Sequence, residues 1–68
     1  MVYMFLADGF EEIEALAVVD ILRRGGVDIK TTSVNDDLFV AGAHNITVKC
    51  DITENEIKDM ANLFLIFR

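Results

Sequence analysis

A chain of 68 residues can enclose one small core at most, because a polypeptide this short buries only about 60% of its unfolded surface. Hydrophobic residues make up 53% of it, which excludes intrinsic disorder, and a net charge of −6 excludes a basic patch for nucleic acid. Cys50 is the only cysteine, and we find neither a bilayer-length apolar run nor a signal peptide, so we expect a reduced, cytoplasmic protein with no membrane partner.

The first half of the sequence predicts a β-α-β unit. Residues 2–7 are apolar on both faces, which is typical of a strand buried in a parallel sheet. Asp8 and Gly9 break this run, and residues 10–24 follow a helical pattern with acids in the first turn and arginines in the last, as the helix dipole favours. Gly25 and Gly26 end the helix, and the β-branched residues 27–34 predict a second strand, parallel to the first.

The second half predicts a hairpin, a short helix and a third buried strand. Residues 38–50 suggest two short strands around a turn at 42–45, and Thr53 with Glu56 forms a capping box that opens a helix ending near residue 62. Residues 63–67, LFLIF, are apolar throughout. One long helix and one short helix cannot cover both faces of such strands. We therefore expect the amino-terminal part of a larger doubly wound domain, or a product that survives by pairing with another chain.

One acidic residue of the predicted helix stands out from the others. A helical wheel places Glu14 in an apolar stripe, whereas Glu11 and Glu12 fall on its flanks, where solvent and the helix dipole account for them. The other members of the stripe are Phe10, Ile13, Ala17, Val18 and Ile21. A carboxyl group turned toward a sheet is desolvated, which favours its protonated form, and that form can donate a hydrogen bond to a thiolate or a substrate oxygen. The alternative is that Glu14 bends out to water or pairs with a base.

The order of these motifs resembles the ThiJ/PfpI family, which includes the Parkinsonism-associated deglycase and the PfpI-type proteases within the class I glutamine amidotransferase-like superfamily. The resemblance covers essentially the whole chain. It is most specific in GFEEIE at residues 9–14, in RRGG at the end of the helix, and in the V-x-G-x-H-x-I-T-V-K pattern at residues 40–49.

This resemblance implies a flavodoxin-like three-layer α/β sandwich. Residues 1–68 would form the amino-terminal part of a single domain, a truncated β-α-β-(β-hairpin)-α-β portion with a mainly parallel sheet. The first strand would be central, with residues 63–67 on its other side. Asp8 and Gly9 would then lie beside a topological switch point, where open α/β sheets bind ligands.

The resemblance also implies a catalytic role for Glu14, which matches the family glutamate whose carboxyl group hydrogen-bonds the reactive cysteine and lowers the pKa of its thiol. The family carries that cysteine beyond this length, on a tight turn after a proline-glycine-glycine loop, with a histidine further on. Intact relatives are cysteine-dependent glyoxalases or deglycases, hydrolases or thiol stress proteins, acting on small carbonyl or peptide-like substrates. We expect this chain, without the nucleophile, to be inactive alone.

Other chemistry is not favoured by the sequence. Cys50 has only Lys49 to activate it and is expected to be a structural thiol, and His44, about 20 Å away along an intervening strand, is expected to be an exposed turn residue. We expect no cofactor and no metal, since the acids lack calcium-loop spacing and no His/Cys cluster suits zinc. The three acids of LADGFEE would repel a phosphate.

Two other functions remain open. The chain could be a stand-alone, non-catalytic module that dimerises through an exposed helix face and an open strand edge, since family members commonly dimerise through the first helix. A receiver-like or nucleotide-binding domain would need an acid where Phe67 and Arg68 end the last strand. A homodimer or other self-association is expected, because residues 63–67 would leave an unpaired apolar edge.

Overall fold

A central parallel sheet organises the chain in a computed structural model that describes residues 1–57 and the backbone of residues 63–67. The elements, in chain order, are β1 (Val2–Leu6), α1 (Glu12–Arg24), β2 (Ile29–Ser33), β3 (Phe39–Ala41), β4 (Thr47–Lys49), β5 (Ile52–Thr53), a 3₁₀ helix (Glu54–Glu56) and β6 (Leu63–Phe67). The sheet order is β5-β2-β1-β6, and every neighbouring pair is parallel. The predicted parallel sheet with a central first strand is therefore confirmed.

The register of the sheet brings the carboxyl ends of its long strands together. Leu6, at the end of β1, is opposite Ser33 of β2 and Phe67 of β6. The loops that follow β1 and β2 consequently leave the sheet at the same edge. Strand β5 was not predicted, because two residues are too few to give a periodic signal.

A separate antiparallel hairpin, β3–β4, follows β2 as predicted. Phe39 is opposite Lys49, and the turn between the strands places Asn45 at φ 62, the left-handed region that asparagine tolerates. The capping box is also present, since the amide of Thr53 donates to Glu56 Oε1 over 3.4 Å. It opens a single 3₁₀ turn that ends at Glu56, and the rest of the predicted helix, residues 58–62, lies outside the described residues.

Helix α1 does not face the sheet with the stripe that the helical wheel predicted. Its buried residues are Glu12, Ala15 and Val19, whereas Ile13 is 78% exposed and Ile21 is 65% exposed. The apolar side chains that α1 buries are thus the smaller ones, Ala15 and Val19, and the larger isoleucines lie on the outer face. The core cluster consists of Met4, Leu6, Phe10, Ala15, Val19, Ile29, Val40 and Cys50.

Two predictions about individual side chains therefore have opposite outcomes. Glu14 is exposed, so the prediction that it faces the sheet was wrong. Cys50 is 2% exposed, as expected of a structural thiol. Among the helices that the structure describes, none is long and apolar enough to span a membrane.

Candidate functional site

The segment from the end of β1 through the first turn of α1, residues 7–14, is called the corner, and it contains the two residues predicted to bind a ligand. Gly9 has φ +89, which favours glycine, and its amide donates to the carbonyl oxygen of Ala41 over 2.7 Å. Asp8 Oδ1 accepts from the amide of Ala41 at 3.1 Å and from Asn35 Nδ2 at 3.2 Å. Both residues thus attach the corner to the hairpin, and their role in binding a ligand stays a prediction.

The corner continues alongside the hairpin into the start of the helix. Phe10 forms an isolated parallel bridge with Gly42, and its carbonyl oxygen accepts from the amide of Ala43 at 2.8 Å. Glu11 is the N-cap of α1, where its carboxylate accepts from the amide of Ile13 at 3.1 Å. The beginning of α1 is therefore fixed to the turn between β3 and β4 as well as to β1.

Glu12 is the buried acid of the corner, with 3% of its surface exposed. Its Oε2 accepts from the amides of His44 at 2.8 Å and Ile46 at 3.3 Å, and its Oε1 lies 2.8 Å from His44 Nδ1. Gly42 lies directly beneath this carboxyl group, where an added Cβ would overlap the Glu12 side chain. The prediction that Glu12 lies on a solvated flank of the helix is therefore wrong.

These contacts determine the charge states of Glu12 and His44. Burial alone would raise the pKa of Glu12, but the His44 ring, followed by backbone amides that include those of His44 and Ile46, lowers it to about 2. The pKa of His44 is raised by its hydrogen bond to Glu12 and by the charges of Glu11, 3.6 Å away, and Glu12. An ionised carboxylate only accepts hydrogen bonds, so His44 Nδ1 carries the proton between the two side chains.

The same three side chains are the one group within the described residues with the donor types of a metal site. Glu11, Glu12 and His44 each offer a ligand atom, and these atoms lie within 4.8 Å of one another. The sequence pattern does not indicate this cluster, because His44 lies more than 30 residues after the two acids. His44 Nδ1 carries a proton that points to Glu12, and Glu12 already accepts hydrogen bonds from two backbone amides. The ligand atoms of Glu12 and His44 are therefore occupied by these hydrogen bonds. We assign no metal to them.

Glu14 lies two residues further along the same helical turn, on the outer surface. Its carboxylate makes no hydrogen bond or ion pair with any residue that the structure describes. The chain's only cysteine, Cys50, is buried. Burial, together with the charge of Asp51, raises the pKa of the Cys50 thiol against the opposing hydrogen bond from Thr31. The catalytic role of Glu14 stays a prediction.

An open polar cavity adjoins the corner on its other side. It encloses about 670 Å³ and is lined by Asp8, Val34, Asn35, Asp36, Asp37, Phe39, Ala41 and Thr47. Its position follows from the sheet, because the loops after β1 and β2 leave at the same edge. This is the kind of location at which open α/β sheets bind ligands.

Comparison with known proteins decides the family. The family model described as DJ-1/PfpI family matches residues 1–66. The chain belongs to the DJ-1/PfpI family. This result confirms the ThiJ/PfpI resemblance. Protein DJ-1 homolog B of Arabidopsis thaliana is 37% identical over 54 residues, which cover 79% of this chain and 12% of that protein.

Solved structures of DJ-1 proteins carry the same fold. A cysteine-to-alanine mutant of a DJ-1 superfamily protein from Salmonella typhimurium is 40% identical with a TM-score of 0.78, and the match covers 81% of this chain and 30% of that one. Oxidized Toxoplasma gondii DJ-1 is 34% identical with a TM-score of 0.82, covering 98% of this chain and 37% of that one. The flavodoxin-like fold is confirmed, and the chain spans about a third of these DJ-1 structures.

Proposed function

We propose that this chain supplies the glutamate side of a cysteine-dependent DJ-1/PfpI site. In this proposal Glu14 hydrogen-bonds a reactive cysteine that the remainder of the domain contributes. The supporting observation is that Glu14 is exposed, has no partner among the described residues, and lies in the helical turn that follows the central strand. Its position in the GFEEIE motif is that of the family glutamate.

The proposed chemistry needs a thiolate, because the thiolate rather than the thiol attacks an electrophilic carbon. In this proposal the remainder of the domain covers Glu14 and keeps its carboxyl group protonated, so that it donates a hydrogen bond to that thiolate, which stabilises the thiolate and lowers the pKa of the cysteine thiol. The substrates proposed for the intact protein are small carbonyl compounds, such as α-oxoaldehydes and glycated adducts, or peptide-like molecules. Cys50 is buried and its pKa is raised, so we propose that the 68-residue chain is inactive alone.

A methylglyoxal assay tests the inactivity of the chain. We expect the purified chain and its Cys50→Ala variant to consume methylglyoxal at the rate of a buffer control, because neither presents a reactive thiolate. Turnover abolished by Cys50→Ala would contradict the structural role of Cys50. Turnover that survives Cys50→Ala would place the chemistry elsewhere in the chain.

Complementation tests the role of Glu14 itself. The chain would be combined with the remainder of a DJ-1 relative that lacks its own first third, and thiolate absorbance would be titrated against pH. Glu14→Gln should raise the pKa of the reactive thiol by about one pH unit, because the glutamine amide is a weaker hydrogen-bond donor than a carboxyl group. Glu54→Gln, which changes an exposed acid in the 3₁₀ helix, is the matched control. Equal titration curves for Glu14→Gln and the unsubstituted chain would refute the proposal.

A second candidate function is self-association, and a specific surface favours it. The outer face of α1 leaves Ile13 and Ile21 exposed, and Ile46 of the hairpin, 54% exposed, adjoins it. Between α1 and the hairpin lies a groove of about 470 Å³ lined by Glu12, Ile13, Leu16, Ala17, Asp20 and Ile46. Contiguous exposed apolar surface of this kind marks interaction sites. We propose that a second copy of the chain covers it, which sedimentation velocity can test.

A further inference from the structure

The buried carboxylate of Glu12 has no part in the chemistry proposed for Glu14, although the two residues share one helical turn. Charged side chains are rarely buried this completely unless they are paired. Glu12 accepts from two amides and one imidazole, all of them on the turn at residues 42–46. These contacts between Glu12 and residues 42–46 are called the clasp below.

The clasp is the side-chain link between the first turn of α1 and the hairpin. The other links between the corner and the hairpin precede the helix: Asp8 and Gly9 bind Ala41, Phe10 binds Ala43, and Glu11, the N-cap, lies 3.6 Å from His44 Nδ1. Glu12 is the first residue of α1, so its contacts with His44 and Ile46 constrain the helix itself. Any residue fixed within that turn, including Glu14, is positioned by them.

We propose that Glu12 is the positioning residue of this site, that its carboxylate holds the first turn of α1 on the 42–46 turn, and that protonation of His44 strengthens this hold. The consequence for Glu14 depends on the function proposed above. The clasp itself does not, because it is measured without the reactive cysteine and without a substrate.

The groups that set the charge of His44 all lie on one side of it. Among the described residues, Glu11 and Glu12 face the imidazole from α1. His44 is the only titratable side chain in its own turn, residues 42–46. When both acids are ionised, a protonated His44 imidazole forms an ion pair with Glu12 in addition to the hydrogen bond. The neutral imidazole keeps only the hydrogen bond from Nδ1 to Glu12.

The direction of the pH effect follows from the two shifted groups. The pKa of Glu12 is lowered, so its stabilising contribution is present above 4.5 and is lost as pH falls through about 2. The pKa of His44 is raised, so its contribution is complete below 6.5 and is lost as pH rises through the folded value. The clasp is therefore strongest between pH 4.5 and 6.5.

Nuclear magnetic resonance of the 68-residue chain tests the clasp directly. The titration midpoint of the His44 imidazole should lie above 6.5, and Glu12→Gln should return it toward 6.5 while shifting the amide resonances of His44 and Ile46. Glutamine keeps the size and an acceptor oxygen, so this variant isolates the charge. Glu11→Gln is the control, and it should lower the midpoint less and leave both amides in place. Equal midpoints in the Glu12→Gln variant and the unsubstituted chain would overturn the proposal.

The amide resonance of Glu14 reports whether the clasp positions the site. Between about pH 5.5 and 9, above the range in which ordinary carboxyl groups titrate, the chemical shift of this amide should change with the same midpoint as the His44 imidazole. In His44→Asn, which replaces an exposed side chain and keeps the backbone donor, this titration should disappear. A Glu14 resonance that stays constant while His44 titrates would refute the positioning role. His44→Asn also keeps the test decisive if Glu12→Gln does not fold.

Discussion

Gly42 gives the corner its close contact between helix and hairpin, since a Cβ at this position would overlap the side chain of Glu12. Gly42→Ala must displace either the turn or the buried carboxyl group. We expect it to lower the free energy of unfolding by about 1–3 kcal/mol, as other overpacked sites do, in urea denaturation. Gly25→Ala is the matched control, because the nearest atom to its Cβ would be Leu22 O at 3.5 Å. Equal losses in the two variants would contradict the steric explanation.

For single residues, the sequence correctly predicted where the acidic turn lies, but the acid that was predicted to be buried was the wrong one. GFEEIE marks the corner and predicts that acids begin the helix, which is confirmed. The partners of Glu12, however, are His44 and Ile46, which lie 32 and 34 residues further along the chain. A helical wheel contains no information about such distant backbone donors. The burial of Glu12 therefore could not be derived from the local pattern, and neither could the pairing of His44.

Asp51, which directly precedes β5, connects the last turn of α1 to strand β2. Its Oδ2 accepts from Arg23 Nη2 at 2.6 Å and from the amide and hydroxyl of Thr31 at 3.0 and 3.1 Å. Partial burial would raise the pKa of Asp51, but the donors of Thr31 and the charge of Arg23 lower it below its usual range. Its contribution is thus present above 3.8 and is lost as pH falls through the lower folded value.

Replacing Asp51 should therefore loosen the packing of α1 against β2. We expect Asp51→Ala to lower the free energy of unfolding by about 1 kcal/mol near neutral pH, a value that allows for solvent screening of this partly exposed group. The difference from the unsubstituted chain should shrink on acidification, as thermal unfolding at several pH values would measure. Asp20→Ala breaks the exposed pair with Arg24 and should change stability by less than about 0.5 kcal/mol. A loss that is constant down to the lowest pH would contradict the electrostatic origin.

The strands that the sequence predicted correctly are those with a clear composition and clear boundaries. β1, β2 and the hairpin have apolar or β-branched runs that are bounded by turn residues, and all of them are present. The face of α1 was predicted wrongly because the helix carries apolar residues on two sides. Ala15 and Val19 pack on the sheet, whereas Ile13 and Ile21 face outward. The periodicity of apolar residues alone does not show which of two apolar faces packs on the sheet when the buried face has the smaller side chains.

For the whole molecule, two surfaces of the described part of the chain stand out, the β6 edge of the sheet and the outer face of α1. β6 is the last strand of the order β5-β2-β1-β6 and pairs on one side with β1. The other surface is the outer face of α1 with Ile46. The family resemblance predicted the central position of β1, and the match with DJ-1 structures over about a third of their length agrees with it. What covers these surfaces depends on contacts beyond the described residues, which no sequence pattern within them specifies.

Self-association through the outer face of α1 can be separated from pairing at the β6 edge. We expect the sedimentation coefficient of the chain to rise with concentration, because a second copy would bury Ile13 and Ile21. Ile13→Gln with Ile21→Gln should weaken association by about tenfold or more, since each buried isoleucine contributes about 1.5–3 kcal/mol. Val27→Gln, which also changes an exposed apolar residue but lies beyond the end of α1, is the control. A concentration-independent monomer would refute self-association, and unchanged association of the double variant would refute the helix-face interface.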